Sequence, residues 1–120
     1  MHLATRILVA LVALEHLWFL VLEMFLFTRP IGLRTFELDR EFAGRAAAMM
    51  KNQGLYNGFL AAGLLWSLVA PAPLQLALQI FFLSCVAVAG VYGAATVSRS
   101  ILWVQGLPAL VALGLAWAGR

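Results

Sequence analysis

Glu15, His16 and Glu23 interrupt an otherwise apolar run from Ile7 to Phe27. Ionisable side chains in such a run are costly in a bilayer and mark functional positions by default. The chemistry open to them is proton handling, or capture of a small ligand that is cationic or donates hydrogen bonds. On a helix His16 and Glu23 are seven residues apart and share a face, while Glu15 falls ~80° from Glu23, so one polar stripe holds all three. Metal binding is disfavoured, because these three would be the only ligands and no second histidine lies in the apolar segments. His16 on its own reads as a histidine satisfied at a helix contact.

A second polar set stands at Lys51-Asn52-Gln53-Gly54-Leu55-Tyr56-Asn57-Gly58. Asn52 with Tyr56, and Gln53 with Asn57, are i,i+4 pairs on adjoining strips of a helix. Gly54, Gly58 and Ala62 recur every four residues, a spacing that lets two membrane helices approach closely.

The elements that must position these groups follow from composition. The chain has 120 residues, of which 64% are hydrophobic and 11% charged, and its mean hydropathy is +0.97. A soluble domain of this size cannot hide so much apolar surface, and the segments from Leu55 onward lack the polar stripe that a water-facing helix needs. The expectation is an all-α integral membrane protein: one domain over residues 1–120, a bundle of four transmembrane helices at about 7–27, 49–69, 74–96 and 101–118. In the first, two carboxylates at ~2.5–3.5 kcal/mol each nearly cancel fourteen Leu, Ile, Val and Phe residues at ~0.3–0.6 each. That helix needs partners for its polar groups. A cleaved signal peptide fits poorly, since the run is long, Glu15 and His16 interrupt it, and no small-x-small site follows Phe27.

Ala70-Pro71-Ala72-Pro73 and Ser98-Arg99-Ser100 predict tight turns, and Pro108, just after Gly106, predicts a kink in the fourth span. The connection from Thr28 to Lys51 is polar, and from Asp39 onward nothing breaks a helix except the mild Gly44. It carries Arg29, Arg34, Arg40, Arg45 and Lys51; with Arg99, six basic residues lie on one side of the membrane, against Arg6 and Arg120 on the other. The positive-inside rule then puts both termini outside the cytoplasm. Trp66, Trp103 and Trp117 fall near segment ends, as interfacial aromatics do. Cys85, the sole cysteine, lies mid-span and reads as space-filling.

Measured from span centres at ~1.5 Å per residue, Glu23 lies ~10 Å to the cytoplasmic side, level with Asn52 and Tyr92, with Gln105 slightly deeper. This predicts a cytoplasm-side polar pocket in which Glu23 is held by Asn52, Gln53, Tyr56, Tyr92 and Gln105. Glu15 and His16 lead deeper, toward Asn57. The alternative is that these groups only hydrogen-bond one another to join helices, but two carboxylates and a histidine cost more than packing requires.

No glycine-rich phosphate loop, paired-cysteine metal motif, nucleophile elbow or cofactor motif is present. The net charge of +3 arises in a topology-determining connection, which argues against nucleic-acid binding. Two stretches, Glu23-Met24-Phe25-Leu26-Phe27 and Asn52-Gln53-Gly54-Leu55-Tyr56-Asn57-Gly58-Phe59-Leu60-Ala61, together resemble the domain of unknown function 1304 family of small bacterial four-helix membrane proteins. The resemblance covers essentially the whole chain. It implies four spans and a bacterial inner membrane, and it implies no activity.

The expected partners are the lipid bilayer, a small apolar or cationic ligand, and a second copy of the chain in a homo-oligomer. The leading expectation is a membrane protein that binds or transports a small ligand, proton or ion. Its length and first-helix glutamate are similar to those of small multidrug resistance exporters, whose signature residues are missing here. The alternatives are a membrane enzyme on a lipid-soluble substrate and a structural subunit. For the enzyme, Arg45 and Asn52 only loosely match the second helix of the trimeric eicosanoid and glutathione-metabolism membrane proteins.

Overall fold

The computed structural model describes residues 1–119. Among these the fold is all-α: α1 (Leu3–Met24), α2 (Pro30–Phe36), α3 (Arg40–Val69), α4 (Ala72–Thr96), a π-helical turn (Leu102–Gly106) and α5 (Leu107–Ala118). Two helices, α1 and α4, are long and apolar enough to cross a membrane, and Leu102–Ala118 is apolar but shorter. The 30 residues of α3 would extend ~45 Å, but its first half carries the basic and amide side chains.

The connection after α1 is not a plain loop. The Val21 carbonyl accepts from the N–H groups of both Phe25 (3.0 Å) and Leu26 (3.1 Å), which closes α1 in a tight turn. Pro30 then opens α2, where its missing N–H costs nothing. Glu37, at φ 54° and ψ 49°, ends α2 in the left-handed conformation, and the Leu38 N–H returns to the Leu33 carbonyl at 3.0 Å. Asp39 starts the next helix: its Oδ1 accepts from the Phe42 N–H at 2.7 Å, and Glu41 adds a favourable charge to the first turn.

By packing, the chain forms two compact units, residues 1–13 with 62 onward, and residues 14–61. In the first, α4 packs along the π-turn and α5. Ala109, Ala112 and Ala116 form the buried stripe of α5, and Leu78, Leu83, Val86 and Ala87 that of α4. A Cβ placed on Gly90 would stand 2.5 Å from the Gly106 Cα, so the two backbones meet there without side chains between them. The kink expected at Pro108 takes the form of a widened turn. Pro108 has no N–H to give and its ring crowds the preceding turn; the Leu107 N–H instead reaches back five residues to the Leu102 carbonyl. At the other end of this unit, the Arg6 guanidinium donates to the Leu68 carbonyl (3.4 Å) in the last turn of α3, where a cation meets the negative end of the helix. Gln75 Nε2 donates to the Ala70 carbonyl (2.9 Å) and closes the proline turn between α3 and α4.

The second unit contains the later half of α1, α2 and the first part of α3. Leu22, Phe27 and Ala43 are buried in it. The Phe27 and Phe36 rings lie 5.4 Å apart, and Gly32 sits so close to the Leu26 and Phe27 carbonyls that no Cβ fits. This packing holds α2 against the end of α1.

The Gly90–Gly106 approach is testable. Gly90→Ala should destabilise the protein by ~1–3 kcal/mol through overpacking. Gly114→Ala, where a Cβ would meet nothing within 4 Å, should be neutral or stabilising by up to ~1 kcal/mol. Thermal unfolding of the two variants followed by circular dichroism should separate them.

Candidate functional site

Glu23 lies in the last turn of α1 and is only 4% exposed. Its neighbour is α3, and the glycines show which face of α3 meets α1. A Cβ on Gly54 would be 2.6 Å from Met24 Cγ and 3.1 Å from Glu23 Cβ, and one on Gly58 would be 2.7 Å from Leu20 Cδ1. At ~100° per residue, Ala47 and Gly58 lie within ~40° of Gly54, with Lys51 ~60° to one side and Asn57 ~60° to the other. Asn57 is thereby carried to the carboxylate: its Nδ2 donates to Glu23 Oε1 at 2.5 Å. A hydrogen bond to a charged group contributes ~1.5–3 kcal/mol, and a buried carboxylate left without one is costly.

Beside this pair opens a cavity of about 280 Å³. Glu23 lines it together with Thr28, Arg29 and Lys51, and the apolar wall is Met24, Phe25, Phe27 and Ala47. Arg29 caps the start of α2 in an extended conformation; Lys51 lies one turn beyond Ala47 on α3. Both cations are exposed, whereas Glu23 is buried, so the carboxyl group sits deep and positive charge at the mouth. No three His, Cys, Asp or Glu side chains gather into a metal-binding group among the described residues.

The sequence placed the partners of Glu23 by depth, and the structure corrects the choice. Asn57, assigned to the deeper groups, is the donor to Glu23. Asn52, Gln53 and Tyr56 are exposed. Asn52 and Tyr56 point ~160° away from Gly54 and Gln53 ~100° away, since depth along a helix says nothing of direction around it. Tyr56, 59% exposed, packs edge-on against Phe59 at 5.5 Å. Tyr92, 70% exposed, and the half-buried Gln105 belong to the other unit.

His16 is fully buried, its ring edge-on to Phe19 at 5.2 Å. Glu15 is half-buried, and its Oε1 is buried without a hydrogen-bond partner among the described residues. Thr28, Arg29 and Lys51 were not among the site residues expected from the sequence. From the sequence Arg29 counts toward membrane orientation, and Lys51 toward orientation and the opening of the second polar set. Arg29 follows Glu23 by six residues and Lys51 shares a strip with Gly54, but only the packing of α3 on α1 brings both to one cavity.

Residues 10–117 match the family described as Protein of unknown function (DUF1304), and the chain belongs to that family. It is also similar to the uncharacterized protein YpaA of Lactococcus lactis subsp. lactis (strain IL1403), 32% identical over 115 residues that cover 94% of this chain and 96% of the relative. No solved structure matches.

The face assignment predicts unequal costs on α3. Asn57→Leu should destabilise the protein by ~1–3 kcal/mol, because Glu23 stays buried without its donor. Tyr56→Leu, on the opposite side, should stay within ~0.5 kcal/mol of the parent. Denaturant titration in detergent measures both, and equal effects would refute the assignment.

Proposed function

We propose that this family member is an integral protein of a bacterial inner membrane, crossing it four times with both termini outside the cytoplasm. In this reading the Glu23 cavity, at the cytoplasmic end of the first span, binds a small ligand. The membrane reading is supported by large apolar side chains left outside the packing, such as Leu3 (72% exposed), Phe25 (66%), Val88 (69%) and Trp103 (64%). It is supported also by the exposed Arg29, Arg34, Arg40, Arg45 and Lys51, all in one connection and the helix start that follows it. Of these, Arg45 lies 3.5 Å from Glu41 in an exposed pair of little energetic weight, which leaves the segment basic in character.

The observation that carries the ligand reading is the buried carboxylate of Glu23 beside a cavity with polar walls. Packing alone gives no reason to keep both an acid and a space next to it. Glu15 and His16, both about two turns nearer the helix middle, extend the polar stripe inward and offer a route for a proton or ion. A structural role is favoured by one fact, the Asn57–Glu23 bond, which by itself ties α3 to α1.

Native mass spectrometry of the detergent-purified protein separates these readings. The parent should retain a small molecule that Glu23→Gln does not, while both keep the same helix content and subunit count. Loss of assembly in Glu23→Gln without loss of a bound molecule would support the structural role. Membrane insertion itself is checked by thiol labelling of single cysteines in a Cys85→Ala background: a cysteine at position 37 should react from the cytoplasmic side only, and one at position 71 from the opposite side only.

A further inference from the structure

The charges around the Glu23 cavity are ordered, and that order restricts the ligand. A simple anion entering the cavity would meet the Arg29 and Lys51 side chains and then the Glu23 carboxylate. A simple cation would have to pass the two basic residues first. A ligand with an ammonium at one end and an anion a few bonds away satisfies both ends at once.

Building on the pocket reading above, we infer that the cavity takes a primary-amine phosphate zwitterion of the phosphoethanolamine type, amine inward, either as a lipid headgroup or as the free molecule. Glu23 already accepts from Asn57, and the ammonium supplies further N–H donors to the carboxylate. A quaternary ammonium has no N–H to give. The phosphate then stands at the mouth, where the Arg29 guanidinium can pair two of its oxygens and Lys51 adds a point charge. The Thr28 hydroxyl lines the same opening and can donate to it. At about 280 Å³ the space is at the lower end for small-molecule sites, suited to a headgroup rather than a larger ligand. Phe25, which lines the cavity and is 66% exposed, offers the acyl chains of a lipid an apolar exit.

Native mass spectrometry of the full chain tests this with phosphatidylethanolamine, phosphatidylglycerol and phosphatidylcholine of identical acyl chains, added in equal amounts. The parent should retain the ethanolamine lipid about tenfold over each of the others, the worth of one charge-assisted hydrogen bond. Glu23→Gln should bring the ethanolamine and glycerol lipids to parity. The double variant Arg29→Gln with Lys51→Gln, at two exposed positions, should lose both while keeping the helix content of the parent. Millimolar free phosphoethanolamine identifies the source: displacement of the lipid points to the free zwitterion, and persistence of the lipid to the headgroup. Equal retention of all three lipids by the parent, with the lipid displaced no better by phosphoethanolamine than by inorganic phosphate or ethanolamine alone, overturns the assignment. A Glu23-dependent molecule without this preference would overturn the zwitterion alone; retention independent of Glu23 would overturn the pocket as well.

Discussion

A carboxylate buried at the end of an apolar helix must have a donor, and much of the second unit is arranged around that requirement. Glu23 receives its hydrogen bond from Asn57, on a helix that begins seventeen residues later in the chain. An amide side chain is short, so the two helix backbones must come close. Gly54 and Gly58 permit the approach, because a Cβ at either position would run into α1. The same approach brings Lys51 to the cavity that Glu23 lines. Acid, donor, glycines and rim cation are thus consequences of one contact.

Close backbone approach recurs at Gly90 and Gly106 in the first unit, there without a polar pair. Both cases place small residues at helix contacts and leave larger apolar side chains outside, as with Phe81 and Val88 on α4. That distribution suits a lipid surrounding. Where the solvent is itself apolar, burying a leucine gains little, and association rests on dispersion at short range and on hydrogen bonds. The π-turn before α5 belongs to the same economy of backbone, since widening one turn accommodates Pro108 while keeping Gly106 against α4.

The long helices were legible in the sequence because their signals are local: apolar runs, the proline pair after Ala70, and the absence of breakers after Asp39. The cap at Asp39 is local too, with a side chain that announces it. Glu37 takes a left-handed conformation that nothing in a glutamate favours, and α2 is held by the contact of Phe36 with Phe27 and by Gly32 under two carbonyls. Those are tertiary causes, and for that reason the sequence alone shows only a polar connection where α2 lies.

The site divides in the same way. Residue types determined that Glu23 was costly, that Asn52, Gln53 and Tyr56 could pair with it and Asn57 with the deeper groups, and that two glycines marked a close contact. Which amide reached the acid was decided by rotation about the helix axis, which places Asn57 beside the glycine strip and Asn52 and Tyr56 behind it. Whether Arg29 and Lys51 act as topology signals or as pocket walls was decided only when α1, the turn after it and α3 came together. Composition and spacing determine what each helix must bury; the packing of one helix face on another determines what each buried group meets, because that choice depends on direction as well as distance along the chain.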